Sequence, residues 1–198
     1  MARIKLTKNE LKKEKDSLKR FQRYLPTLQL KKQQLQLVIR QIEAKEREVR
    51  QAQERFKSTI DAWIGVFGDE FDITPYAVIS RVESERGNIA GVDIPVFKGL
   101  SFEDKPWDLL RTPLWIDPAI ENMKKLVEYS AELKVLEKQR ELLVHELRVT
   151  TQRVNLFEKV KIPETKENIR RIKIYLGDEQ TASVVRGKIA KGKTVKVS

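Results

Sequence analysis

The sequence predicts a mainly all-α protein: a long antiparallel two-helix coiled coil with a small central segment containing a β-hairpin. Three observations carry this. Apolar residues recur every seven positions through the first part of the 198-residue chain. A second seven-residue series runs through the last third. Between them, Ile64 to Pro118 holds five of the eight glycines and five of the seven prolines, so the regular pattern stops and restarts. Repeats of this kind indicate a left-handed supercoil.

The first helix is expected within residues 1–66, from about Lys5 to about Val66, roughly 90 Å at 1.5 Å per residue. Phe21, Leu28, Leu35, Ile42, Val49, Phe56 and Trp63 make its main seam. Leu11, Leu18, Leu25, Ile39 and Ile60 occupy the companion position, interrupted by Lys32, Glu46 and Gln53. Pro26 lies inside the pattern. It removes one backbone donor, and a kink is expected there because the heptad continues in phase across it.

The central segment, 67–117, contains a β-hairpin over about 76–97. Tyr76, Val78 and Val82 alternate on one side, as do Val92, Ile94 and Val96 further on. Arg86-Gly87-Asn88 supplies turn chemistry. Pro95 places the second strand at an edge, since it has no N–H to give. A short helix opening at Thr74-Pro75 is the competing reading. Trp107 and Trp115 lie beyond the hairpin, where they either pack a local core or anchor a partner.

The second helix is expected over 118–176, with Asp117 as N-cap and Pro118 in first position. Leu126, Leu133, Leu147 and Val154 form one of its seams, interrupted by Arg140. Tyr129, Leu136, Leu143 and Phe157 form the other, interrupted by Thr150. Pro163 threatens this helix, apolar residues resume from Ile169, and Gly177 is a plausible terminator. Residues 177–198 then form a flexible basic tail. Such large connections let the two helices fold back antiparallel, burying one stripe. Polar interruptions of the seam fix register or mark where another protein packs.

Charge and composition narrow the function. Charged residues make up 35% and aromatics 7%, which suits solvated helices better than a thick core. The net charge is +11. Residues 1–25 hold nine Lys/Arg against three Asp/Glu, and 159–198 hold eleven against four, so the rest is close to neutral. If the termini meet, Lys12, Lys13, Arg20, Arg170, Arg171, Lys188 and Lys191 mark one basic end. That end suits nucleic acid, an anionic membrane surface or an acidic protein cavity, or is simply a set of solvated helix ends.

There is no cysteine, which excludes disulfides, thiolate nucleophiles and Cys-based metal sites. The single histidine, His145, excludes multi-His metal sites and falls on an outer helix face. Pairs such as Glu43/Glu46 and Glu137/Glu141 sit at helix-surface spacing beside cations, unlike acid–base dyads. No cofactor is implied. No apolar leader or membrane-spanning run occurs, so a cytoplasmic location is expected. Gly187 to Thr194, GKIAKGKT, matches the phosphate-loop pattern letter for letter. That motif needs a strand before it and a helix after it, and only four residues follow. A basic coiled-coil adaptor for nucleic acid is the alternative function, weakened by the lack of clustered aromatics and of any known nucleic-acid motif.

Three segments resemble a known family. ERGNIAGVDIPVF (Glu85–Phe97), TTQRVNLFEKVKIPETKENIRRI (Thr150–Ile172) and YLPTLQLKKQQLQ (Tyr24–Gln36) are similar to the D subunit of V-type and A-type rotary ATPases. Arg153, Val154, Asn155, Glu158, Ile162 and Pro163 match its run R-V-N-x-x-E-x-x-x-I-P. The resemblance spans nearly the whole chain, but this C-terminus and the Trp107–Trp115 segment depart from it. It implies a non-catalytic central rotor shaft that couples ATP hydrolysis or synthesis in a ring of A and B subunits to rotation of a membrane ion rotor, proton or sodium. The implied partners are the A and B subunits, the small F subunit of the stalk and the C (d) subunit that forms the rotor socket. The complex is membrane-bound and this subunit peripheral. Residues 1–25 and 159–198 then enter the ring, while 67–117 face the membrane rotor or the F subunit. On this reading Asn88, Gly91 and Pro95 shape the hairpin. Leu28, Leu35, Ile42, Val49, Phe56, Leu136, Leu143, Leu147 and Val154 hold the coil.

Overall fold

Helix α1 runs from Lys8 to Asp61, 54 residues without a break. Thr7 opens it: its Oγ1 accepts from the Glu10 N–H at 3.3 Å, the start of a capping-box pattern. The helix continues through Pro26, which lacks one ladder donor but has apolar seam residues on both sides to hold its turns in place. In the computed structural model, residues 4–61, 65, 76–103, 105 and 115–195 are described. Trp63, Val66, Thr74-Pro75 and Trp107 lie outside them.

Two strands follow, β1 (Ile79–Ile89) and β2 (Val92–Phe102), paired antiparallel. The hairpin is longer than its alternation implies, because β2 continues past Lys98-Gly99 through a bulge. The turn also differs from expectation. Arg86, Gly87 and Asn88 lie inside β1, and the loop is the two residues Ala90-Gly91 between the paired Ile89 and Val92. Their φ values are 52° and 79°, both positive, as a type I′ turn requires.

Helix α2 (Ile116–Asn155, 40 residues) begins just before Asp117, so Pro118 falls in the first turn, where its missing N–H costs nothing. Its end passes into a π turn, Leu156–Lys161, and then into α3, Ile162–Val195. Pro163 therefore does not end the helix. The Ile162 N–H reaches back to the Phe157 carbonyl, five residues earlier, and this wider turn absorbs the proline. Gly177 does not terminate it either: residues 177–195 are helical where a flexible tail is expected. A helical glycine costs only about 1 kcal/mol, too little to stop an established helix.

The π turn has a consequence for the seam. Up to its start, Leu143, Thr150 and Phe157 are buried or half-buried at seven-residue spacing, with Phe157 in the turn itself. After it, Thr165 and Ile172 are buried, again seven apart, but Phe157 to Thr165 is eight. Val154 and Ile162 show the same step on the other seam position. The extra residue of the π turn lets α3 keep its apolar stripe on α1.

The chain divides into two units: residues 1–32 with 149–198, and residues 33–148. In the first, α1 and α2–α3 meet in opposite directions: Phe21 stacks on Phe157 with ring centroids 5.4 Å apart, and Asn168 donates to Glu14 at 3.4 Å. In the second, the core joins Leu35, Ile39 and Ile42 of α1, Leu136 and Leu143 of α2, and Ile94 of β2. The hairpin lies lengthwise on the coil. Ile94 sits in that cluster, and Phe102 lies under the Lys124 ammonium, 5.5 Å from the ring centroid. From the Pro95–Gln139 bond to the Phe102–Lys124 contact is about 24 Å along the strand and about 22 Å along α2.

Candidate functional site

The functional surfaces grow from the seam and what lies on it. Leu35, Ile42, Leu136, Leu143 and Val154 are buried, while Leu28, Val49, Phe56 and Leu147 are half-buried at its margins. Hydrophobic burial along such a stripe holds the helices together. Phe56 meets Tyr129 at 6.1 Å. Three of the polar interruptions, Gln53, Glu46 and Arg140, find partners. Gln53 Nε2 donates to Ser130 Oγ at 2.9 Å. Arg140 Nε lies 3.2 Å from Glu46 Oε2, and Arg50 reaches Glu46 Oε1 at 3.0 Å and Glu137 at 3.6 Å. Lys45 pairs with Glu132 at 3.1 Å.

The hairpin is shaped by side chains that read as turn formers for a different reason. Asn88 faces Asp93 across the ladder, donates to its Oδ1 at 2.6 Å, and accepts the Gly91 N–H at 3.1 Å. Gly91 supplies one of the two left-handed positions. Gly87 is needed for closeness: a Cβ there would stand 2.9 Å from Val96 Cγ2. Pro95 pairs with Arg86, and Gln139 of α2 donates to its carbonyl. Sequence reasoning missed Gln139, since it lies off the seam and is buried only because the hairpin covers it.

At the hairpin surface Lys98 Nζ approaches Glu85 Oε2 at 2.9 Å. The hydrogen bond, and then the charge, hold the Glu85 carboxyl below its ordinary pKa and raise that of Lys98.

The first unit is strongly basic. Residues 1–32 hold eleven Lys/Arg against three Asp/Glu and residues 149–198 hold twelve against five, a net of +15, leaving −4 for residues 33–148 of the total +11. Lys12, Lys13, Arg20, Arg170, Arg171, Lys188 and Lys191 are exposed. Several have local partners: Lys13 with Glu10 at 3.8 Å, Arg20 with Ser17 at 3.1 Å, and Arg170 and Arg171 with Glu167 at 3.9 and 3.1 Å. An open groove separates residues 4–14 from α3, with Ile4, Leu6, Val160 and Pro163 among its lining. Gly187 to Thr194 lies within α3, so its backbone N–H groups point along a helix and cannot cradle a phosphate. His145 is exposed, as its heptad position implies. No helix among the described residues is long and apolar enough to cross a membrane.

Fold and surfaces together define a class: an antiparallel coiled-coil protein with a basic unit and a hairpin packed on its helices. A family model for the ATP synthase D subunit matches residues 10–192. The V-type ATP synthase D subunit of Borreliella burgdorferi is 52% identical over 196 residues, covering 99% of this chain and 97% of that one. Those of Chlamydia abortus and Chlamydia muridarum are 35% and 36% identical, each over 97% of this chain and at least 94% of theirs. The chain belongs to the ATP synthase D-subunit family, whose members are stalk subunits and not catalytic ones.

Proposed function

We propose that this stalk protein is the central rotor shaft of a V-type ATPase or ATP synthase, turning within a ring of A and B subunits. The observation that supports it best is the seam itself. α1 packs against α2 and α3 in opposite directions within both units, and the π turn keeps the stripe in phase where a regular helix would lose it. A shaft needs that continuity, because torque passes only through packed side chains. We assign the basic first unit to the ring, where its cations suit an acidic lining. We assign the hairpin-bearing unit to the F subunit and to the C (d) subunit of the rotor socket. The shaft makes and breaks no bonds; its changing faces bias each nucleotide site between its conformations. The protein then sits peripheral to the membrane on the cytoplasmic side. The relatives of this chain give no support to a nucleic-acid adaptor.

Co-expression with A and B subunits tests this. The expected product is a ring complex holding one copy of this chain. A ring that assembles and turns over normally while excluding the chain would overturn the reading.

A further inference from the structure

The second unit places two charges where heptad logic calls for apolar side chains, and sets two more beside them. Glu46 and Arg140 each interrupt a seam, and the fold brings them together at 3.2 Å. Glu46 keeps only 14% side-chain exposure and also accepts Arg50 at 3.0 Å. Arg50 in turn reaches Glu137 at 3.6 Å, so the layer holds two acids and two bases. Apolar layers lie on one side of it, around Ile39, Ile42 and Leu143. On the other side Gln53 bonds Ser130.

A layer like this is a poor choice for stability alone. Charges taken from water are repaid only by good pairing, and apolar side chains of similar volume usually do as well or better. What the charges supply is discrimination between registers. Both seams repeat every seven residues, so a slide of one heptad exchanges Leu for Leu or Ile along most of the interface. The same slide moves Glu46 from Arg140 to the level of Leu133 or Leu147, and Arg140 to the level of Ile39 or Gln53. Each direction takes the half-buried Glu46 carboxylate away from the one α2 cation that stands on the seam, leaving only Lys134 or Arg148, which are exposed and off it. The connections from Asp61 to Ile79 and from Phe102 to Ile116 are long enough that chain connectivity does not forbid the slide.

We propose that Glu46 and Arg140, assisted by Arg50 and Glu137, form a register lock that fixes the longitudinal alignment of α1 and α2. The lock also sets the seat of the hairpin. Gln139, adjacent to Arg140 in sequence, bonds the Pro95 carbonyl, and Ile94 fills the cluster between Leu35 and Leu143. The Ile94 seat draws on α1 and α2 together, so hairpin and both helices fit in one register only. This goes beyond the shaft reading and does not depend on it, because register is a property of the chain itself.

The absence of native cysteine makes the test clean. Q53C/S130C reports the native register through a short bismaleimide. Q53C/M123C and I60C/S130C report slides of one heptad in the two directions. In an otherwise unaltered chain only the first pair should cross-link. E46L/R140L is expected to retain full helicity and raise the melting temperature, yet let a slid pair cross-link to at least a tenth of the native yield. The swapped E46R/R140E chain should return to the native cross-link alone. E46L/R140L that remains confined to the native cross-link would overturn the lock. So would loss of helicity in that variant, which would make the pair a simple stability contact, or a swapped chain that still slides.

Discussion

Gln139 on α2 donates its side-chain amide to the carbonyl oxygen of Pro95 on β2. The contact settles what a proline does in a hairpin strand. Pro95 has no N–H, so it stands where its backbone faces away from β1, and its carbonyl faces the same way. That carbonyl is covered by the coil, and Gln139 supplies its donor. Gln139→Ala removes the donor and leaves a covered carbonyl unpaired, a loss of about 1–3 kcal/mol. Urea unfolding should show the loss, and hydrogen exchange should quicken along β2 before it quickens in α1.

The two-residue turn carries a strain that one substitution relieves. Ala90 holds φ at 52°, a region that L-residues other than Asn and Asp seldom occupy. Asn-Gly is the favoured pair for this turn. Ala90→Asn should therefore stabilise the protein by about 1 kcal/mol. Thermal melts check this, with Ala90→Val as the opposite case, expected to destabilise because a β-branched residue fits this region worst.

These two sites show which parts of the structure were legible in the sequence. The seam was, because the heptad states itself repeatedly and each repeat supports the next. The hairpin was legible as an element but its turn was not. Arg86-Gly87-Asn88 has turn composition, yet Gly87 is there for its closeness to Val96, and Ala90 has no turn signature at all. Gly177 looked like an end because glycine is common past helix ends, but the helix beyond it was already established. The pairing of Glu46 with Arg140 needed the antiparallel register, which no single seam contains. The burial of Gln139 depended on where the hairpin lay.

Thr150 is 1% exposed, and its hydroxyl has no hydrogen-bond partner among the described residues. Valine has nearly the same shape without the hydroxyl. Thr150→Val should stabilise by about 1–2 kcal/mol, the cost of an unmet buried polar group. Differential scanning calorimetry should register a rise of a few degrees. Thr150→Ser, which keeps the hydroxyl and loses a methyl, should move the opposite way.

The Lys98–Glu85 pair predicts a pH response. Glu85 is held below its ordinary pKa by its hydrogen bond to Lys98, so the folded state binds the proton less well than the unfolded chain. The contribution is present above the unfolded-state pKa and fades as pH falls through the lower folded-state value. Lys98 is shifted upward, so its share fades only as pH rises through its folded-state pKa. Both side chains are exposed, which makes the effect small and sensitive to salt. Carboxyl NMR titration should find Glu85 below the usual glutamate range and return it there in Lys98→Met.

The π turn offers the sharpest test of how the first unit is built. It performs two tasks: it accommodates Pro163, and it inserts the residue that steps the seam from Phe157 to Thr165. The two tasks separate by mutation. Pro163→Ala alone should change stability little, because the seam still requires the extra residue. Deleting the exposed Glu158 alone restores seven-residue spacing but forces Pro163 into a regular helix, at about 3 kcal/mol. Combining the deletion with Pro163→Ala should recover that loss, since an unbroken α-helix then presents the same stripe to α1. Melting temperatures of the four chains give the comparison. If the deletion remains as damaging without the proline, the turn serves something other than the phase of the seam.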